Sequence, residues 1–441
     1  MYKVSQFNVP FKRDNINFLY NSHTGAFVKI SDEYTDTIKK ISKKNYNEIS
    51  NLHLEELTRA GFIVENSLDE YGVYHYLTNK SRFGSEYLGL TIATTLQCNF
   101  RCPYCYEDHV DEYIEGQKEE DLKKFIQNNL ENKTEFSVTW YGGEPLLKKD
   151  LIDRMSKYIL AICKEKNIQY RAKIVSNGYL LNRKIAEHLV QENNVKYVQI
   201  TLDGGPETHD VTRILRNKQG SFNKILNNIK EIQDIIQVGI RVNVSKENVA
   251  DVYKLFPILM NQGLNNKVSV YFAPVGAYNE VCQSISESCL VTREFAKWET
   301  DLIEYADKIG FNMGNLYPRN RGGWVCQAVD NNSFVVDAYG DLFKCWHEVG
   351  NKKLRVGNLA EGITSLQTLT KWMNWELPNK CKTCNIMPLC KGRCPELSLE
   401  KQDFECDQLK YNIKDRLYRY YIKNPIDKQK VPETEVIKQS S

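Results

Sequence analysis

Thr94-Thr95-Leu96-Gln97-Cys98-Asn99-Phe100-Arg101-Cys102-Pro103-Tyr104-Cys105-Tyr106 sets three thiols at a CxxxCxxC spacing, with an aromatic residue directly after the third. The short loop from Cys98 to Cys105 can aim all three at one point. Cubane iron–sulfur clusters are normally held by four cysteines, so three thiolates leave one iron open to a ligand. An open position is also what distinguishes a catalytic zinc from a structural one. A zinc knuckle is the alternative reading; it needs a fourth ligand close by, and His109 is the nearby candidate. Incidental cysteines are the third reading. The apolar run Leu88 to Ile92 precedes the loop and reads as a buried strand.

Outward from that strand, the chain alternates between strand and helix patterns. Apolar, β-branched runs occur at Leu88–Thr95, Phe136–Tyr141, Ala172–Val175, Val198–Leu202, Val238–Val244 and Val268–Ala273. Helical patterns such as Leu151–Cys163 and Ile185–Val190 fill the gaps. Repeated βα units predict an α/β fold with a parallel sheet. Such sheets carry their chemistry at the carboxyl ends of the strands.

The unusual residues stand at those ends. Tyr141-Gly142-Gly143-Glu144-Pro145 follows the second run. Its glycines would let a ligand approach the backbone, and Glu144 offers an acceptor to an ammonium group. Ser176-Asn177-Gly178 follows the third run, and Thr201-Leu202-Asp203-Gly204 ends the fourth, ahead of His209-Asp210-Val211-Thr212-Arg213. Arg213 suits bidentate pairing with a carboxylate. Asn243 lies on the fifth run. Taken singly, each of these segments also reads as an ordinary turn or cap.

A second cysteine field follows. Cys326 is followed by Gly340, four residues and Cys345, then Cys381-x2-Cys384-x5-Cys390-x3-Cys394 and finally Cys406. Seven ordered cysteines are hard to explain as core packing. Cys381-x2-Cys384 alone would suit a zinc ribbon. Gly340 fits a tight hairpin between Ser333–Asp337 and Leu342–Trp346. Arg293 to Ile309 reads as a helix, Cys282 and Cys289 lie in a polar loop, and Cys163 sits alone on a helix as a core residue.

The first cysteine motif, with Tyr104 at its aromatic position, resembles that of the radical S-adenosylmethionine (SAM) enzymes. The second field resembles the SPASM domain that many of them carry. The likeness spans Tyr87 to Leu409. It implies a partial (β/α)6 TIM-like barrel, with Cys98, Cys102 and Cys105 on a 4Fe-4S cluster whose open iron SAM chelates. It implies SAM contacts from Tyr104, Gly142, Gly143, Glu144, Ser176, Asn177, Asp203, Arg213 and Asn243, with Gly143 and Glu144 on the methionine amine. Thr201 replaces the family's usual Ser, and His209 is expected behind the site, not in it. The likeness further implies two auxiliary 4Fe-4S clusters, one on Cys326, Cys345 and Cys394, the other on Cys381, Cys384, Cys390 and Cys406. Seven thiols serve two clusters, so the first either has an open iron or takes an eighth ligand such as Cys282, Cys289 or a non-cysteine group.

Residues 1–80 read as a separate winged-helix-like α+β unit. A hairpin is expected over Ile16–Tyr20 and Ala26–Ile30, then a helix capped by Ser31 or Asp32, a helix carrying Ile49, Leu52, Leu54 and Leu57 and ending at Gly61, and a strand at Phe62–Val64. The layout is similar to the leader-recognition domain of enzymes that modify ribosomally made peptides; a structural cap on the barrel is the alternative. The expected organisation is therefore 1–80 for leader recognition, 86–310 for the barrel, 311–421 for the SPASM domain and 422–441 as a polar, disordered tail.

Net charge is only +3, which argues against nucleic acid as a main partner. No run of 18 apolar residues occurs, and Met1-Tyr2-Lys3-Val4-Ser5 starts no apolar signal segment. The expected location is the cytoplasm, where thirteen cysteines argue for metal and not disulfides. The resemblance implies a maturase that uses a 5′-deoxyadenosyl radical to install a thioether or other side-chain crosslink in a precursor peptide with a leader, and a flavodoxin- or ferredoxin-type reductant. Alternatives are an anaerobic sulfatase-maturing enzyme, a maturase forming carbon–carbon bonds or epimers, and a ferredoxin-like electron carrier. About ninety residues ahead of Cys98 weigh against the sulfatase type, and the barrel pattern against the carrier.

Overall fold

The computed structural model describes residues 1–47, 49–320, 322–323, 326–400 and 405–424; the expected tail beyond Asn424 lies outside them. The chain divides into two compact units that do not follow chain order. One comprises Met1–Arg82, Asn315–Val325 and Glu376–Ser441; the other comprises Phe83–Gly314 and Cys326–Trp375. The segment 311–421, expected as one domain, is thus shared between them.

In the first unit, strands β1 (Tyr2–Val4) and β5 (Ile63–Glu65) pair antiparallel, and β2 (Asn8–Arg13), β3 (Ile16–Asn21) and β4 (Phe27–Lys29) form a second antiparallel sheet. The β3–β4 hairpin and the helices Asp32–Ser42 and Asn51–Arg59 stand where the sequence places them, and Ser31 caps the first helix by accepting from Tyr34 N. Strands β1 and β2 and the helix Glu70–Arg82 are additional. Pro10 interrupts the strand signal of β2, and the third helix leaves Val73, Tyr76 and Leu77 exposed, so neither shows a clean apolar period.

Side chains alternate across β3. Leu19 faces a core with Ile41, Leu57 and Phe62, whereas Phe18 and Tyr20 face Ile386, Ile413 and Leu417. Phe18 lies 5.0 Å from the ring of Tyr421, on the helix Leu409–Lys423. Polar contacts join the same segments: Ser22 Oγ donates to Asn385 O at 2.6 Å, and Asn385 Nδ2 to Asn8 O at 3.1 Å. The amino-terminal sheet therefore shares a core with the later cysteine segment.

The second unit is built on one ten-stranded sheet. Strands β6 (Tyr87–Ala93), β7 (Glu135–Tyr141), β8 (Gln169–Val175), β9 (Val195–Thr201), β10 (Gln237–Val244) and β11 (Val268–Pro274) are parallel and sit side by side in chain order. All six match the sequence reading within a few residues. Outward faces such as Phe136, Val138 and Trp140 are buried under helices, among them Lys149–Glu165 and Thr292–Lys308. Cys163 is buried in the first of these, as expected.

The hairpin expected around Gly340 also forms, as β12 (Ser333–Val336) and β13 (Asp341–Phe343), with Gly340 at φ +84°. It is not a separate layer. Strand β12 pairs parallel with β6, Ser333 opposite Gly89 and Val336 opposite Ile92, and β14 (Gly357–Asn358) and β15 (Gly362–Ile363) extend the sheet. The open edge of the barrel sheet is thereby covered, which removes a template for aggregation.

Two expectations follow from this packing. Leu417 is fully buried, so Leu417→Ala should cost about 2–5 kcal/mol, read from the urea midpoint of the transition that unfolds the first unit. Asp337, just past β12, accepts from Tyr339 N and Asp341 N at 3.0 and 2.9 Å, and burial pushes its carboxyl up to about 7. Between the ordinary value of 3.8 and that value the native state holds the extra proton, so stability should fall as pH rises through this window. Asp337→Asn should flatten that fall in melts taken between pH 5 and 8.

Candidate active site at the strand ends

One cavity of about 250 Å³ lies at the carboxyl end of the parallel sheet. Its wall draws on the loop after β6 and on Tyr141, Val175, Thr201, Asn243 and Pro274 from the other five strands. Six parallel strands meet at one cavity only if the sheet curls, as a partial barrel does.

Cys98, Cys102 and Cys105 all line it. Burial raises the pKa of each thiol, that of Cys98 to about 12, and neighbouring thiols add to the rise for Cys98 and Cys105. Three clustered thiols, with the Arg213 guanidinium acting on Cys98 and Cys102 against that rise, fit a metal cluster that would hold them as thiolates. Phe100 N donates to Cys98 Sγ at 3.4 Å, and Asn177 Nδ2 lies 3.8 Å from it.

The loop is held by the turn after β7. Gly143 N donates to Thr95 O at 3.0 Å and Glu144 N to Gln97 O at 2.9 Å. A Cβ on Gly142, at φ +104°, would stand 2.3 Å from Thr95 O, and one on Gly143 2.2 Å from Gln97 O. Sequence reasoning assigned the glycines to a ligand's approach; the close approach that bars a side chain is that of the cysteine loop itself. Glu144 is fully buried and accepts from Asn177 N at 2.7 Å, Ser176 Oγ at 2.9 Å and Leu146 N at 3.1 Å. Burial pushes its carboxyl up to about 7 against these donors.

Tyr104, Asp203, Arg213 and Asn243 form a second network. Tyr104 OH donates to Asp203 Oδ2 and accepts from Arg213 Nη1 at 2.9 Å and Asn243 Nδ2 at 3.3 Å. Asn243 N donates to Asp203 Oδ1 at 2.9 Å. Burial raises the Asp203 pKa while Arg213 opposes the rise. His209 stands behind this group: Asp203 N donates to its Nδ1 at 3.3 Å, and Nε2 lies 3.1 Å from Ser221 Oγ. Burial and Arg213 depress its pKa well below the ordinary value, so it stays a neutral brace.

Every residue the sequence singled out around the first motif is thus brought to this cavity or to the layer directly behind it. Others were missed. Tyr106 and Tyr141 share a hydroxyl contact, Trp346 packs 4.5 Å from Tyr141, and His347 stacks 4.0 Å from Tyr278. Glu107 is buried beside Tyr141, with its carboxyl pushed up to about 7. Arg241 and Gln199 also face in. Period-two counting on β9 and β10 from Thr201 and Asn243 finds the last pair; the hairpin that delivers Trp346 and His347 gives no local sign of where it docks.

Cys326 and Cys345 belong to this unit, and Cys394 to the other. Cys282 is fully buried and its Sγ stands 3.4 Å from Asn279 Oδ1 and 3.6 Å from Asn279 O; Cys289 Sγ stands 3.4 Å from Ile285 O. Within the first unit, Cys381 feels Cys384 and Cys406, and Cys390 feels Cys381, so these four thiols form one set. Lys410 Nζ reaches Cys384 Sγ at 3.6 Å.

A model of the radical SAM superfamily matches residues 92–256. The chain is 22% identical over 446 residues to the radical SAM cyclopropyl synthase TigE of Paramaledivibacter caminithermalis, covering 89% of each. It is 27% identical over 331 residues to the cysteine-type anaerobic sulfatase-maturating enzyme of Clostridium novyi, covering 67% of this chain and 84% of that one. In fold it resembles SuiB of Streptococcus suis, solved bound to precursor peptide SuiA, with a TM-score of 0.52 at 14% identity over 92% of this chain and 99% of that one. The chain belongs to the radical SAM superfamily. That fold implies SAM and a 4Fe-4S cluster. Among the described residues no helix is long and apolar enough to cross a membrane.

Replacing Cys98, Cys102 and Cys105 together by Ala should lower the iron content of the anaerobically reconstituted protein by about four per chain and abolish SAM cleavage. Iron counting with chromatographic assay of 5′-deoxyadenosine checks both.

Proposed function

We propose that this protein is a peptide maturase that installs a thioether or another side-chain crosslink in a ribosomally made precursor peptide. The observation that carries the reading is the cavity: three clustered thiols line one lumen with Tyr104, Arg213 and Asn243, and the buried carboxyls of Glu144 and Asp203 stand directly behind that wall. Similarity in fold to SuiB, solved with a precursor peptide, supports a peptide as substrate.

A cluster on the three thiols together with SAM would supply a 5′-deoxyadenosyl radical that removes a hydrogen atom from a substrate side chain. The protein's share is position and electrostatics. The glycine turn fixes the cysteine loop, so the thiols meet without rearrangement. Asp203 and Asn243 orient Tyr104 beside the thiols, and Arg213 offsets the negative charge gathered there. Glu144 gives the methionine amine an acceptor close to Ser176 and Asn177. The aromatic wall of Tyr106, Tyr141, Trp346 and Tyr278 excludes water, which protects a carbon radical from side reactions.

The four-thiol set of Cys381, Cys384, Cys390 and Cys406 fits a closed auxiliary 4Fe-4S cluster. Cys326 and Cys345 are assigned to a second one, whose open iron would take the substrate thiolate. The thiols of Cys282 and Cys289 already lie against carbonyls in their own loop, which favours that open position. The amino-terminal sheet is assigned to the leader, taken as an added strand. An external flavodoxin- or ferredoxin-type protein supplies the electron, in a reducing cytoplasm.

A second reading has one observation in its favour: similarity to a cyclopropyl synthase runs over 89% of both chains, which points to carbon–carbon bond formation. Incubating the reduced, reconstituted enzyme with SAM and the precursor peptide encoded beside its gene separates the two. A thioether product is lighter by a pair of hydrogen atoms and no longer alkylated by iodoacetamide. The same mass loss with an alkylatable thiol favours the carbon–carbon reading, and absence of 5′-deoxyadenosine overturns both.

A further inference from the structure

Two guanidinium groups face the cavity, and its wall matches one of them more closely than the other. Arg213 donates to Tyr104 at 2.9 Å, lies across the ring of Phe100 at 5.5 Å and sits in the field of Asp203 and Cys102. Its charge is matched by groups gathered around the thiol loop. Arg241 is less closely matched: Asp203 feels it too, but less than it feels Arg213. Its Nε donates to Asn243 Oδ1 at 2.8 Å, and no ion pair among the described residues includes it. Gln199 and Thr201 on β9 line the wall with it, and Tyr271, whose hydroxyl is given to Gln199, also accepts from the guanidinium. Asp203 itself already accepts from Tyr104 and Asn243 N.

Arg241 is half-buried, and a guanidinium partly withdrawn from water with no ion-pair partner in contact favours taking one. With Nε donating to Asn243 and the Tyr271 hydroxyl taking a further donor, the guanidinium still has N–H groups to offer a carboxylate. Two carboxylates can be considered, that of SAM and one on the substrate. The carboxylate of SAM is borne by the same carbon as the amine expected on the open iron, so it stays beside the thiols. Asn243 is the residue of β10 that reaches Tyr104 there, whereas Arg241 lies two residues deeper on the same face, about 6.6 Å along the strand.

We propose that Arg241 is a substrate-specificity residue: it receives the side-chain carboxylate of an aspartate or glutamate in the peptide at or beside the position where hydrogen is removed. This rests on the reading of the cavity as a radical SAM peptide site.

The test is calorimetric titration of the anaerobically reconstituted, SAM-loaded holoenzyme with N-acetyl-aspartate N-methylamide and its asparagine counterpart, and with the glutamate and glutamine pair. Wild type should prefer one acidic probe over its amide by about tenfold or more, a difference of about 1.4 kcal/mol. Arg241→Gln should erase that preference and change SAM affinity by less than about threefold, and Arg241→Lys, which keeps the charge without the guanidinium, should retain part of it. No acid-over-amide preference in wild type overturns the proposal. So does a loss of SAM affinity of about tenfold or more in Arg241→Gln, because the carboxylate would then be that of SAM. Formation of 5′-deoxyadenosine by wild type keeps the two levels apart: cleavage without acid preference sinks this proposal alone, and no cleavage sinks the wider reading with it.

Discussion

The site depends on one backbone contact, the pairing of the turn after β7 with the loop after β6. Gly143 N and Glu144 N donate to the carbonyls of Thr95 and Gln97, the residues that lead into Cys98. Two neighbouring parallel strands end together, so their loops leave the sheet side by side and can bond like an extra ladder step. Glycine is required because each missing Cβ would fall within 2.3 Å of a carbonyl oxygen. The thiol geometry is thus set by the sheet register and not by the cysteines, which on their own repel one another once charged.

Burial then sets the chemistry. Glu144, Asp203 and His209 are wholly enclosed, and burial pushes each towards its neutral form. The wall counters this with directed donors: two backbone amides and a hydroxyl for Glu144, a phenol and an amide for Asp203. Buried polar networks of this kind stabilise one arrangement because any partner left unmatched costs about 1–3 kcal/mol. A cavity so prepared does not reorganise when a charged ligand enters, and that is how a protein contributes to a reaction whose bond-breaking belongs to its cofactors.

The barrel was legible because its signals are local. Each strand is a short apolar run, and each functional segment sits directly after one, so counting along the chain located Glu144, Asn177, Asp203 and Arg213 together. What stayed hidden depends on pairing between distant segments. The hairpin at Gly340 was legible as a hairpin, yet nothing near Ser333 indicates that it adds to β6 as an edge strand. Trp346 and His347 reach the cavity through that pairing. Arg241 escaped for another reason: a lone arginine on an apolar strand carries no motif, and its meaning appears only when the charges around it can be counted.

The first unit makes the same point about domains. By sequence, residues 1–80 and the later cysteines look like separate modules joined through the barrel. In the fold, Phe18, Tyr20 and Phe27 pack against Ile386, Ile413, Leu417 and the tyrosines around them, and Cys384 and Cys390 pack against the same cluster. Removing residues 1–80 would therefore strip the support from the four-thiol set and expose its core. A metal bound by those thiols would in turn hold the loop that covers one face of the amino-terminal sheet, because a site absent from the unfolded chain returns its binding energy as folding energy. Folding of this sheet and assembly of the four-thiol set are for that reason parts of one event, and a surface substitution on the sheet is a cleaner probe of the proposed leader binding than a truncation.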